Sequence, residues 1–270
     1  MSEISGSNVL ITGGTSGIGR LMALKMASLG ASVAVYGRSG ERLEAVTDEI
    51  RQQTGGVARG FVCDVSDRER VYEAAGEVDA ALGPVDILVN NAGVVFGKRL
   101  LELADEEIEA TMAANVLGLY WVTRSILPQM ISRGGHIATI ASVAGMVGVS
   151  KQTDYSASKH AARGFAESLR MELARDGRHE IKTTLVSPYF VDTGMFEGVK
   201  TPFPRLLPIL NPEDVANRAA EAIARDKTEL TMPPLARLLP ALRILPTPLF
   251  DRVVERFGVN SSMEDFAGRK

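Results

Sequence analysis

Tyr155 and Lys159 stand four residues apart in a helical pattern running from Asp154 to about Ala174. That spacing stacks both side chains on one face of a helix. A phenol with an ordinary pKa of ~10 is a poor base at neutral pH. An ammonium fixed ~6 Å away, at an effective dielectric of ~20, favours the phenolate by roughly 3 kcal/mol and should lower that pKa by about two. The pair would then work as an acid and base. Alone, Tyr-x-x-x-Lys also describes many solvated helix pairs, so its company matters. Thirteen residues earlier, Ser142 leaves what reads as the fifth strand, at the strand end where open α/β sheets bind ligands. Its hydroxyl can donate to a substrate oxygen. Asn90-Asn91-Ala92-Gly93 occupies the same place after the fourth strand. Asn115 falls between two helical stretches, Glu106 to Ala113 and Leu117 to Arg133, where its side chain can face a water chain. Plainer roles exist for each: a helix cap for Ser142, turn formation for Asn90 and Asn91, a local backbone bond for Asn115.

A second group of residues suits a phosphate. The first strand runs straight into Thr12-Gly13-Gly14-Thr15-Ser16-Gly17-Ile18-Gly19 and then into a helix beginning near Ile18. Glycines at 13, 17 and 19 let the backbone turn tightly and approach an anion, and the helix start offers free N–H groups and a positive dipole end. A pyrophosphate fits there. The spacing is G-x-x-x-G-x-G, one residue longer than the familiar G-x-G-x-x-G before its last pair. At the end of the second strand, where a carboxylate would hold the ribose hydroxyls of NAD, the chain has Tyr36-Gly37-Arg38-Ser39. Arg38 can pair with a 2′-phosphate, which favours NADP over NAD; otherwise it is a solvated arginine opening the Glu41 to Gln53 helix.

Positioning these groups requires a sheet. Short β-branched runs alternate with longer helical patterns, the signature of an α/β doubly wound parallel sheet with helices on both faces. Seven strands are expected: Asn8 to Thr12, Ser32 to Tyr36, Val57 to Cys63, Asp86 to Asn90, His136 to Ala141, Ile181 to Ser187 and Thr228 to Met232. Runs such as Val9-Leu10-Ile11 and Ile87-Leu88-Val89 are continuously apolar, as strands covered on both faces should be. Asp64-Val65-Ser66-Asp67 caps the Arg68 to Leu82 helix, and Gly83-Pro84 ends it. The 270 residues suit one domain over 1–270. With 30 Lys+Arg against 33 Asp+Glu there is no basic excess to track nucleic acid. One cysteine and three scattered histidines suit neither a disulfide nor a metal centre. No leader-like or spanning apolar stretch is evident, so a cytoplasmic chain is expected.

Together these motifs resemble the short-chain dehydrogenase/reductase family. The match covers roughly residues 7 to 195: Thr12 to Gly19, Asp64-Val65, Asn90 to Gly93, Asn115, Ser142, Tyr155 with Lys159, and Ser187-Pro188 to Thr193. The resemblance implies a single-domain Rossmann-type sheet of about seven strands and a catalytic tetrad of Asn115, Ser142, Tyr155 and Lys159. It also implies cofactor contacts from Gly13, Thr15, Ser16, Gly17, Ile18, Gly19, Arg38, Ser39, Asp64, Val65, Asn91, Ala92, Gly93, Tyr155, Lys159, Pro188, Val191 and Thr193. Asp64 is then expected near adenine, with Val191 and Thr193 at the nicotinamide carboxamide. The family usually continues Pro-Gly after the sixth strand; here Pro188 is followed by Tyr189-Phe190-Val191-Asp192-Thr193-Gly194-Met195-Phe196. That segment, and Ser262-Met263-Glu264-Asp265-Phe266, are similar to the subgroup of retinol dehydrogenases and long-chain 17-beta-hydroxysteroid dehydrogenases. Those relatives handle lipophilic alcohols and carbonyls.

Nine of the twelve prolines follow residue 200, so that stretch should form shaped apolar loops rather than long helices. A substrate rim is expected at about 190–212, with a Pro/Leu-rich extension at 233–270. Substrate contacts are expected from Ser142, Tyr155, Tyr189, Met195 and Phe196. Leu235, Leu238, Leu239, Leu242 and Leu245 fall at helical spacing beside Arg237 and Arg243. Core or dimer packing is favoured for this stripe over membrane contact because Pro240 interrupts it. The reading is an NADP(H)-preferring oxidoreductase for a small hydrophobic alcohol and its ketone or aldehyde, with a homodimer or homotetramer expected. Its alternatives are a polar-substrate 3-oxoacyl ketoreductase and a catalytically silent cofactor-binding module.

Overall fold

The computed structural model describes residues 2–268. Met1, Arg269 and Lys270, at the ends of the expected 1–270 domain and 233–270 extension, lie outside the described residues. The apolar runs form seven parallel strands: β1 Asn8–Thr12, β2 Ser32–Gly37, β3 Ala58–Val62, β4 Ile87–Asn90, β5 Gly135–Ile140, β6 Ile181–Pro188 and β7 Glu229–Met232. They lie in the order β3-β2-β1-β4-β5-β6-β7. The expected bounds hold within a residue or so. Val57 and Cys63 fall outside β3, yet the ladder reaches them, because Val33 N–H donates to the Val57 carbonyl and Cys63 N–H to that of Gly37 (both 2.9 Å).

Each continuously apolar strand feeds two cores. Val9 and Ile11, Val33 and Val35, Ile87 and Val89 face one cluster; Leu10, Ala34, Tyr36 and Leu88 face the other. Alternation of side chains along a strand makes both faces apolar, which is why these runs show no polar period. α1 Gly17–Ser28, α2 Gly40–Thr54 and α7 Pro212–Ala224 cover the first face. α3 Arg68–Leu82, α5 Gly118–Arg133 and α6 Thr153–Arg175 cover the second. α4 Asp105–Met112 joins α5 through a π-helical turn, Ala113–Leu117, so the break expected at Asn115 is a widened turn rather than a stop.

The proline-rich end forms short pieces: a 3₁₀ turn Pro234–Leu238, α8 Leu239–Leu242 and α9 Thr247–Arg256. Leu235, Leu239, Leu242 and Leu245 pack against the core, as the packing reading of the stripe required, while Leu238 is exposed. Arg243 donates to the Met146 carbonyl and stands over the Phe250 ring. Among the described residues no helix is long and apolar enough to cross a membrane. The strand order reverses between β1 and β4, so the loops after β1, β4, β5 and β6 open a crevice at their carboxyl ends.

Candidate active site

After β1 the chain turns through Gly13 (φ +63°) and Gly17 (φ +55°), left-handed values that favour glycine. A Cβ on Gly13 would stand 2.9 Å from Ala92 Cα, so this loop and the loop after β4 meet backbone to backbone. Asn91 binds them together. Its backbone N–H donates to Thr12 Oγ1 (3.0 Å), and its amide donates to the Thr12 and Gly13 carbonyls (3.0 and 3.3 Å). The result is a cavity of about 380 Å³ floored by Gly13, Thr15, Ser16, Gly17 and Ile18. At one end stand Arg38, Ser39, Asp64 and Val65; Asn91, Ala92 and Gly93 form a wall. At the other end lie Ser142, Tyr155, Lys159, Pro188, Val191 and Thr193. Thr193 reaches back over the loop, its Cβ 3.4 Å from where a Cβ on Gly17 would be. A long cleft with a helix start at its middle and guanidinium groups at one end fits a dinucleotide.

Gly19 does not line this cavity. A Cβ there would meet Asn91 Nδ2 at 2.4 Å and the Gly13 carbonyl at 2.6 Å, so its place is close packing beneath the loop. Arg42, one turn into α2, does line it and was missed from the sequence. Its spacing of four from Arg38 was the available signal. Among the described residues neither guanidinium has a hydrogen-bond or ion-pair partner, whereas Asp64 accepts from the N–H and hydroxyl of Ser66. Gly37 also has a packing reason, because a Cβ there would stand 2.5 Å from Thr15 Cγ2.

Tyr155 and Lys159 occupy the first two turns of α6, and both are buried. The 3₁₀ turn Val143–Gly145 lies directly on the helix backbone: a Cβ on Gly145 would be 2.5 Å from the Lys159 carbonyl oxygen. This contact brings Ser142 beside the phenol. Ser142 donates to the Pro188 carbonyl (3.3 Å) and accepts from Ala144 N–H (3.1 Å), so it caps the 3₁₀ turn while facing the cavity. Lys159 Nζ donates to the Ile140 carbonyl (3.1 Å) and sits 5.6 Å from the centre of the Tyr155 ring.

The expected lowering of the phenol by the lysine is not what this geometry produces. Burial raises the Tyr155 pKa well above its usual value, with the Ser142 hydroxyl pulling it down. Burial also pushes Lys159 down to about 8. Desolvation penalises phenolate and ammonium alike, and an ammonium already partly lost near neutral pH stabilises the phenolate less.

Asn115 stands behind the lysine, and its amide is engaged rather than open to a water chain. Its Oδ1 accepts from Val94 N–H (2.8 Å), and its Nδ2 donates to the Val94 carbonyl and to Ser158 Oγ (both 3.0 Å). It thereby fixes the loop after β4. A small cavity of about 10 Å³, bordered by Asn90, Asn115, Thr139 and Lys159, holds the volume of one water.

Beyond the phenol opens a second cavity of about 240 Å³, lined by aliphatic and aromatic groups from the 143–149 turn, the Pro/Leu-rich segment and α9. Leu207, Leu235, Leu239, Leu242 and Phe257 are among them. Ser142, Tyr155, Tyr189 and Phe196 border both cavities, and Met195 borders the first, which also holds Ser142 and Tyr155. Phe196 packs edge-on to Tyr155 (5.8 Å between centres) and to Phe190 (5.1 Å), and tilts against Phe266 (6.3 Å). Gln152 also lines the apolar cavity and was missed. A polar residue one turn before Tyr155 was the clue.

Comparison with known proteins gives the same pattern. A family model described as short chain dehydrogenase matches residues 7–202. The chain is 39% identical over 270 residues to short-chain dehydrogenase/reductase family 16C member 6 of Bos taurus, covering 99% of this chain and 85% of that protein. It is 39% identical to epidermal retinol dehydrogenase 2 of Mus musculus, covering 99% and 87%. It is 40% identical over 246 residues to estradiol 17-beta-dehydrogenase 11 of Pongo abelii, covering 90% and 81%. Among solved structures, a short chain dehydrogenase/reductase from Burkholderia phymatum in complex with NAD superposes with a TM-score of 0.80 at 31% identity, covering 90% of this chain and 94% of that one. A metagenomic short-chain oxidoreductase in complex with NADP gives 0.71 at 33%, covering 85% and 97%. A 7 alpha-hydroxysteroid dehydrogenase complexed with NADH and 7-oxo glycochenodeoxycholic acid gives 0.75 at 29%, covering 85% and 94%.

Proposed function

Because this chain belongs to the short chain dehydrogenase family, we propose that it interconverts a lipophilic alcohol with its ketone or aldehyde, using NADP(H) in preference to NAD(H). The observation that carries this reading is the placement of Ser142 and Tyr155 at the junction of two unlike cavities, one with a glycine-rich phosphate-type loop and one lined by leucine, valine and phenylalanine. A substrate seated in the apolar cavity presents its oxygen to those two hydroxyls. The relatives named for retinol and estradiol support a lipophilic substrate class. Arg38 and Arg42 support NADP(H), since two guanidinium groups facing one cavity end suit a 2′-phosphate.

The loop Gly13 to Ile18 with Arg38, Val191 and Thr193 would hold a nicotinamide nucleotide in the larger cavity, and that group would supply or accept a hydride there. Tyr155 gives the proton to the substrate oxygen in reduction and takes it in oxidation. Ser142, held by the bond its oxygen accepts from Ala144 N–H, turns its one proton from the Pro188 carbonyl to the substrate oxygen and so orients and stabilises that oxygen as charge develops. Lys159, anchored on Ile140 and with a pKa of about 8, takes up and releases a proton near neutral pH, so it can restore the proton of Tyr155. Asn115 acts at one remove, by fixing Val94 beside Gly93 and bordering the water-sized cavity at Lys159.

The test is a turnover screen of the purified protein over retinoids, steroids, fatty alcohols and short polar ketones with both nucleotides. Turnover of a lipophilic alcohol, best with NADP(H), is expected. Activity confined to short polar or acyl-thioester ketones would move the assignment to the 3-oxoacyl ketoreductase reading. Nucleotide binding without turnover of any class would move it to the silent module.

A further inference from the structure

The apolar cavity has four polar side chains in its lining: Ser142, Tyr155, Gln152 and Tyr189. The first two have their work in the proton transfer, and the other two have none. Gln152 is 1% exposed and Tyr189 8% exposed, and Gln152 Oε1 and the Tyr189 hydroxyl are both buried without a hydrogen-bond partner. Burying such atoms unpaired is unfavourable, because each has given up its water without gaining a partner. Both side chains border one greasy cavity beside the reacting centre, and a polar group reaching their buried oxygens from it would supply the missing partners.

The geometry says which polar group. The Gln152 amide is oriented by its Nε2, which donates to Met263 Sδ (3.1 Å), a sulfur that can only accept; the free atom is the carbonyl oxygen, an acceptor. The Tyr189 phenol is pushed up to about 12 by burial, so it keeps its proton and remains a donor. An acceptor and a donor together match a hydroxyl, which can donate to one and accept from the other. Both are close to the chemistry. Gln152 is the N-cap residue of α6 and precedes Tyr155 by three residues. Tyr189 follows Pro188, whose carbonyl accepts from Ser142.

We infer that Gln152 and Tyr189 hold a second hydroxyl of the substrate, so that this chain selects a lipophilic diol or hydroxy ketone whose extra hydroxyl lies within a few bonds of the reacting carbon. This rests on the lipophilic-alcohol reading and narrows it. The leucines of the Pro/Leu-rich segment take the remaining hydrocarbon.

A matched pair of substrates tests it: a medium-chain secondary alcohol, and the diol that adds one hydroxyl two carbons from the reacting one. For the unmodified protein kcat/KM should favour the diol by tenfold or more. Gln152→Met, which keeps the volume and removes the acceptor, should lose most of that preference, lowering kcat/KM for the diol and raising it several-fold for the simple alcohol. Tyr189→Phe, from a different segment and one oxygen smaller, should act in the same direction, which guards against a folding defect in the first variant. Calorimetric titration of both compounds into the protein with saturating NADPH reads the same preference without turnover. Preferential diol binding with no oxidation of either compound would overturn the reaction assignment and leave this inference standing. Equal constants for the pair, or equal losses on both compounds in the variants, would overturn it and assign the two atoms to bound water.

Discussion

Replacing Lys159 by methionine should make the cofactor-free protein more stable and its activity vanish. Lys159 is buried, and this moves its pKa from 10.5 to about 8. Keeping it protonated in the fold at pH 7 therefore costs about 3 kcal/mol relative to the unfolded chain. Methionine fills similar space without charge. Loss of the bond from Nζ to the Ile140 carbonyl offsets about 1 kcal/mol, leaving a net gain of roughly 2 kcal/mol and a rise in Tm of a few degrees. The sign follows from proton uptake: between pH 8 and 10.5 the unfolded lysine binds a proton that the folded one has released, so stability of the unmodified protein rises with pH across that window. The penalty is fully present below about pH 8, falls to about 2 kcal/mol at pH 9 and is nearly gone near 10.5. The advantage of Lys159→Met should shrink accordingly and reverse near pH ~10. Denaturant unfolding of both proteins at pH 6.5, 7.5, 9 and 10.5, with ~1 kcal/mol discrimination sufficient, reads this directly. A variant less stable at pH 7, or a difference constant with pH, would refute the argument that burial dominates this lysine.

Tyr155→Phe should reduce turnover by at least about a hundredfold while the protein still binds NADPH, because a proton donor is lost and the phosphate-type loop is untouched; fluorescence titration and rate measurement on the same sample separate the two. Arg38→Ala and Arg42→Ala should each lower kcat/KM with NADPH by roughly 10–100-fold and with NADH far less, as removal of a charge-assisted bond to a 2′-phosphate requires. Equal losses with both nucleotides would mean that neither guanidinium reads that phosphate. Along a homologous series of alcohols, kcat/KM should climb by roughly fourfold per methylene, at about 0.8 kcal/mol each, until the chain outgrows the apolar cavity. Flat kinetics would remove the lipophilic claim.

The fold was legible because its signals are local. A strand covered on both faces has no polar period, so Val9-Leu10-Ile11 and Ile87-Leu88-Val89 announce central parallel strands by composition alone. The Thr12 to Gly19 loop, the Tyr155 and Lys159 spacing and the caps of α3 depend only on neighbours in the chain. The residues that chemistry needs were therefore named before their meeting could be seen, and the crevice at the strand ends brings nearly all of them together.

Other properties belong to no short stretch of sequence. Whether Lys159 lowers the phenol depends on how much water both groups lose, which is fixed by Gly145 letting a 3₁₀ turn lie on α6 from fourteen residues away. Asn115 has its amide engaged because Val94 and Ser158 arrive from separate segments. The same holds for Met195 facing the nucleotide cavity, for the leucine stripe turning inward, and for Gln152 and Arg42 entering cavities that spacing alone did not assign them. Periodicity records which face of an element is apolar, and the sequence by itself determined that. Which face meets which, how dry the junction becomes and which polar atoms are left inside it are set by distant segments packing at close range, and only the tertiary structure decided them.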